Sequence, residues 1–363
     1  MSRERPARAA ASIAGALVPV MGVLAATGAS TVESSYFPLV LGPASGLVLL
    51  LVFAAAPWRR SGSSTVSGFI RARLDSRSAA IAVEVATATV TALLVLPLLQ
   101  SAGRLIALLA GAPLAAGIGI APQAMSTPPL AAGASFVLGL ACGTAALPQV
   151  LGAICAAADG RGARIAALGG AALSGTLLAG GAVVASIAPS SNAEPLLQAG
   201  ALGACLWASY VALRCCIAPV RARVLLACAS IAAAAVVLAL GPIDLTPLLE
   251  AAFSLAAAAL FPPLVLGVWY RGLTAAGVVA GTLTAMLSTA VALLCAALLP
   301  GGALQALAAA PALLTVPLSF AVSLLASRLT RETAPADADE RMLILHAPEA
   351  LGVSAAGSTP GGL

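Results

Sequence analysis

Lysine is absent from this chain, histidine occurs once, at His346, and only 9% of the residues are charged. A soluble domain carries about 25% charged residues. This chain cannot cover a surface with groups that water solvates, so a water-soluble globular fold is excluded. One histidine in a C-terminal segment excludes a histidine-based metal centre or triad from the body of the chain. Cysteine is little help to either chemistry. Cys142, Cys155, Cys205, Cys215, Cys216, Cys228 and Cys295 form no C-x-x-C pair, and most lie in apolar runs where a thiol acts as a small hydrophobe. Also missing are a G-x-S-x-G elbow, an H-E-x-x-H helix, a phosphate loop and paired intramembrane carboxylates. Glu84, Asp244 and Glu250 lie near the ends of apolar runs, within reach of an interface. The residues therefore give no reason to expect an enzyme, and no cofactor is implied.

What is present is apolar length. The chain is 61% hydrophobic, with a mean hydropathy of +1.05. Runs of about 17–25 apolar residues read as membrane-crossing helices, and continuous runs exclude the alternating pattern of a barrel. Ten such runs fall at 12–28, 36–56, 79–109, 130–156, 165–188, 196–213, 224–241, 249–270, 274–299 and 311–327. The first reads as a span and not as a cleaved leader. The fold expected is an all-α polytopic membrane protein. Its transmembrane domain covers 1–327, and a cytoplasmic tail, 328–363, is expected to be disordered, most clearly after Arg341.

The net charge of +5 comes from arginine. With ten spans and an inside N-terminus, 17 of the 18 arginines fall in inside segments and only Arg104 falls outside. Counting 111–129 as an eleventh span would invert Arg161, Arg164, Arg214, Arg221 and Arg223. Both termini are therefore expected in the cytoplasm. These short basic loops suit lipid headgroups, not nucleic acid. The Ala-, Gly-, Leu- and Arg-rich composition points to a GC-rich bacterial genome and so to a bacterial cytoplasmic membrane.

Three spans carry prolines where a helix would need an N–H: Pro19, Pro148 in "GTAALPQ", and Pro262–Pro263 in "LFPPLVLGVWYRGLT". A plain kink compensated by neighbours is one reading. The other is a discontinuous helix whose exposed backbone groups hold a substrate or ion, as in transporters.

Several stretches resemble the sodium:solute symporter family, in its cation–acetate (monocarboxylate) branch. They are "SIAGALVPVMGVLAATG", "LGLACGTAALPQVLGAICAAADGRGAR", the F-P…W-Y-R-x-L-T stretch after Pro262, and "PALLTVPLSF". The resemblance implies a LeuT-like five-plus-five inverted repeat, here incomplete, and symport of a small carboxylate such as acetate with Na+ or H+. It implies substrate contacts at Gly143, Thr144, Pro148 and Gln149, with freed N–H groups near Gly143 and Thr144. It places ion contacts at Gly15, Val18 and Ser209, and gating at Pro262 and Pro263, where the helix should bend or open. The chain departs from the family in length, in lacking the fourth and fifth core helices, and in having Ala16, Pro19 and Gly22 where the branch has an Asp and two Ser. These losses leave a second reading open: a non-transporting relative acting as partner or regulatory subunit of a full-length symporter. Small-residue faces such as 169–181 suit close helix packing within the chain or between copies.

Overall fold

The structure is a computed structural model, and it describes residues 6–14, 17, 36–109, 130–187, 245–299, 302–309 and 311–347. These residues form helices joined by short loops and turns, with no strand among them. In chain order the helices are α1 (6–14), α2 (Tyr36–Phe53), α3 (Ala55–Ser61), α4 (Val66–Leu74), α5 (Arg77–Leu109), α6 (Leu130–Ala146), α7 (Pro148–Cys155) and α8 (Gly160–Ile187). Then come α9 (Leu245–Leu255), a π turn (Ala256–Leu260), α10 (Phe261–Trp269), α11 (Ala275–Leu298), α12 (Ala303–Ala309), α13 (Ala312–Leu329) and α14 (Ala338–His346).

Five segments are long and apolar enough to cross a membrane: Arg77–Leu94, Ala131–Cys155, Leu249–Trp269, Ala275–Leu298 and Ala312–Leu329. A sixth arises if Leu41–Phe53 and Ala55–Ser61, bent by 62° at Ala54, form one span. These six match expected runs; the expected run at 165–188 falls on α8, which is not among the segments that pass as spans. The expected spans at 12–28, 196–213 and 224–241 lie wholly or mostly outside the described residues.

The spans divide into an inner and an outer set. Over an 18-residue apolar window, 89% of the residues are buried in Ala131–Cys155 and in Leu249–Trp269, against 28% to 33% in the other three. The outer face of α11 shows why. Leu283, Leu287, Val291, Leu294 and Leu298 recur every three or four residues and are all exposed, the pattern of a stripe facing lipid. On its inner side α11 presents Gly277 and Gly281, where an added Cβ would strike Ser327 and Ser323 of α13. Ser319 Oγ donates to the Gly281 carbonyl at 3.2 Å. Small residues thus bring two backbones together, the packing available where lipid competes with every apolar contact.

At one end of the bundle the basic segments meet. The Arg59 guanidinium donates to the carbonyls of Ala157 and Ala158. Arg60 donates to Leu345 O, Arg341 to Ala72 O, and Arg271 pairs with Asp339. Near Arg8, an added Cβ on Gly169 would touch Ala10 Cβ at 3.0 Å, so α1 lies along the first turns of α8. The segments around 54–77, 156–164, 269–274 and 328–347 therefore share one face. This gathering is the geometric half of the charge pattern read from sequence.

The tail differs from expectation. Residues 338–346 form α14, which continues five residues past Arg341, with Met342 and Leu345 buried. The His346 ring lies 5.0 Å from that of Trp269. Two apolar anchors and an aromatic contact give this charged segment enough buried surface to hold a helix.

Candidate functional site

The sequence "GTAALPQ" produces a true helix break. Pro148 has no N–H, and its ring disfavours the helical region for the residue before it. Leu147 accordingly sits at φ −60°, ψ 129°, and α7 restarts with Pro148 in its first turn. Leu147 N–H still reaches Thr144 O at 3.4 Å, and Val150 and Leu151 N–H both turn to Leu147 O.

This geometry corrects one expectation. Gly143 and Thr144 lie in the last turn of α6, where a helix leaves carbonyls, not N–H groups, without partners. The donor end of the break is the start of α7, at Gln149. Gly143 has a packing role besides: a Cβ there would come within 2.6 Å of Phe253 O and 3.1 Å of its Cδ1. Thr144 faces the other way, toward α2, where a Cβ on Gly46 would meet it at 2.9 Å. Thr144 is fully buried, and its Oγ1 has no hydrogen-bond partner. Gln149 is also buried, at 6% exposure. All four expected substrate residues are buried, with Gly143 against Phe253 and Thr144 on the opposite side toward α2. The expected ion residues Gly15, Val18 and Ser209 lie outside the described residues.

Pro262 and Pro263 behave differently from Pro148. In an α-helix their rings would press on the carbonyls of Ala258 and Ala259. The chain avoids this by widening one turn: Ala256–Leu260 is a π turn, and Phe261 N–H reaches back to Ala256 O. All five residues of that turn are completely buried. Leu249–Trp269 forms one 21-residue span across this turn, as Ala131–Cys155 forms one span across Leu147. The clash is absorbed by a local change of pitch.

The basic end holds a feature the sequence did not mark. Arg73 is 2% exposed, and none of its three guanidinium nitrogens has a partner. Burial, and then the nearby Arg341, lower its pKa; Asp337 and Asp339 act in the opposite sense. A buried unpaired charge is costly. The buried Trp58 is better served: its indole N–H donates to Leu151 O at 3.0 Å, and its ring lies 5.4 Å from Phe69. That bond ties α3 to α7, just below the break.

Among the described residues, no cluster of three or more His, Cys, Asp or Glu could hold a metal ion. Asp159 of the "ADGRGAR" loop instead caps α8 by accepting from Gly162 N–H. No protein-family model and no curated protein matches the chain. What the fold defines is a class: a helical, multi-pass membrane protein with two buried central spans, each with irregular backbone at a proline. The particular activity is a matter of proposal.

Proposed function

We propose that this chain is a secondary transporter of a small monocarboxylate such as acetate, coupled to Na+ or H+, in a bacterial inner membrane. The observation that carries the reading is the break at Leu147, itself buried, inside the largely buried span Ala131–Cys155. A discontinuous helix at membrane depth exposes backbone groups that only protein, ligand or a cavity can satisfy. The two sides of the break differ in polarity. The N-terminus of α7, at Pro148 and Gln149, is electropositive and suits a carboxylate; the last carbonyls of α6, at Gly143 and Thr144, suit a cation. The unpartnered Thr144 hydroxyl adds an oxygen ligand on the cation side. Gly15, Val18 and Ser209 complete the ion site in this reading. Ten spans, a shortened LeuT-like repeat and cytoplasmic termini belong to the same proposal. Uptake of labelled acetate into liposomes holding the purified chain, with and without a sodium gradient, tests it. Uptake no faster than into empty liposomes rejects it.

One observation favours a second reading. Gly143 is pressed against the backbone of Phe253, which closes the α6 side of the break by packing. A chain locked this way would serve as a membrane partner or regulatory subunit of a full-length symporter. Co-purification with such a symporter, together with no uptake by the chain alone, supports this reading over the first.

A further inference from the structure

We propose that the basic end of the bundle holds a binding site for the phosphate of an anionic phospholipid, seated between α10, α11 and the end of α13. A cavity of about 560 Å³ opens there, lined by Trp269, Tyr270, Arg271, Gly272, Arg328 and Arg331. Three exposed arginines line this open groove, and a guanidinium offers paired donors that match phosphate oxygens. Such a basic pocket between membrane helices suits an anionic headgroup.

The walls are held in place. Thr274 Oγ1 and Thr330 Oγ1 share a hydrogen bond of 2.7 Å. Thr274 N–H donates to Ser327 Oγ at 3.3 Å. These bonds staple the loop carrying Arg271 and Gly272 to the segment carrying Arg328 and Arg331. Trp269 is fixed too, its indole N–H donating to Phe53 O at 2.8 Å. The arginines are therefore presented by a braced platform.

Depth argues for a lipid over a free anion. Leu325 and Leu329, which bracket Arg328, are 60% and 78% exposed, so the arginine stands where an outward apolar face ends. Trp269 is half exposed beside it, the placement of an interfacial aromatic. An acyl chain running along Leu325 would bring its phosphate to Arg328.

Two carboxylates stand near. Asp339 of α14 pairs with Arg271 at 3.3 Å, both side chains being more than 70% exposed, and Glu332 follows Arg331 on the exposed 3₁₀ turn. An exposed ion pair is weak, so a phosphate entering the cavity can take Arg271 from Asp339. Lipid binding is then in competition with one of the contacts that dock α14.

The test is native mass spectrometry of the full chain in detergent, titrated with phosphatidylglycerol and with phosphatidylcholine of matched chains. The wild type is expected to retain phosphatidylglycerol in preference. Arg271→Gln, Arg328→Gln and Arg331→Gln should each weaken that binding about fivefold. Asp339→Asn should strengthen it, a gain that no misfolded variant would give. Equal retention of the two lipids by the wild type, or unchanged binding in all three arginine variants, overturns the proposal. So does full displacement of the lipid by millimolar inorganic phosphate, which would mark a free-anion site.

Discussion

The two inner spans both depart from regular α-helix at a proline, whereas the outer spans α11 and α13 run as regular helix for 24 and 18 residues. The outer set even contains a proline, Pro317, within continuous α13. Proline alone thus does not decide where a helix breaks. At Pro148 the preceding Leu147 leaves the helical region and the helix restarts; at Pro262–Pro263 the preceding turn widens and the helix continues. The inner positions can sustain such irregular backbone because protein surrounds them on every side. Function that needs exposed backbone groups belongs in the inner pair, while the outer helices give shape, lipid contact and, at one end, charge.

The sharpest way to break this contrast is to overfill the inner packing. Gly143→Val places carbon where the Phe253 carbonyl stands 2.6 Å away, and a backbone atom cannot swing aside. The expected loss is about 3 kcal/mol, read as a fall in thermal unfolding midpoint in detergent. Gly133→Ala, on the same helix with nothing within 4 Å of the added carbon, should raise the midpoint slightly through helix propensity. Equal falls in the two variants would remove α6 from the tightly packed set.

A charge change at the basic end should act in the opposite direction. Arg73→Met replaces an unpartnered buried guanidinium with an apolar side chain of similar length. It also removes a positive charge near Arg341. The expected gain is about 1–3 kcal/mol, seen by the same thermal measurement. A loss of that size would mean that Arg73 has a partner that matters.

The proline pair tests the inner set for motion. With Pro262→Ala and Pro263→Ala together, both missing N–H groups return and the π turn has no clash left to relieve. Insertion should be intact. If the chain transports, uptake should slow about tenfold, an added barrier of about 1.4 kcal/mol. Uptake at the wild-type rate would reduce the pair to an accommodated irregularity.

What the sequence revealed and what it hid follow from the same physics. Apolar length is a local property, so six runs could be read directly, and Pro148 announces its break through a missing N–H and a steric clash with Leu147. Direction is harder to read. The resemblance implied N–H donors near Gly143 and Thr144, yet the polarity of a helix end depends on which side of the break a residue falls. Pro262–Pro263 signalled strain but not its remedy, because a bend and a π turn relieve the same clash. The burial of Arg73 and the seat of α14 were invisible, since they depend on segments over 250 residues apart, as in the bond from Arg341 to Ala72.

The smallest expected effect lies on the outer face. Leu287 is 68% exposed on α11, within the stripe from Leu283 to Leu298. A side chain facing lipid has no packed neighbour to lose, so Leu287→Ala should change stability by less than about 0.5 kcal/mol. The value of the measurement is in its failure. A loss of about 2 kcal/mol would be the cost of a cavity, and a cavity requires something packed on that face. The outer stripe would then be an interface with a second copy or another membrane protein, and the split between inner and outer helices would hold for the single chain but not for its assembly. Cross-linking through a cysteine placed at Leu287 would distinguish a second copy from a different partner by the mass of the product.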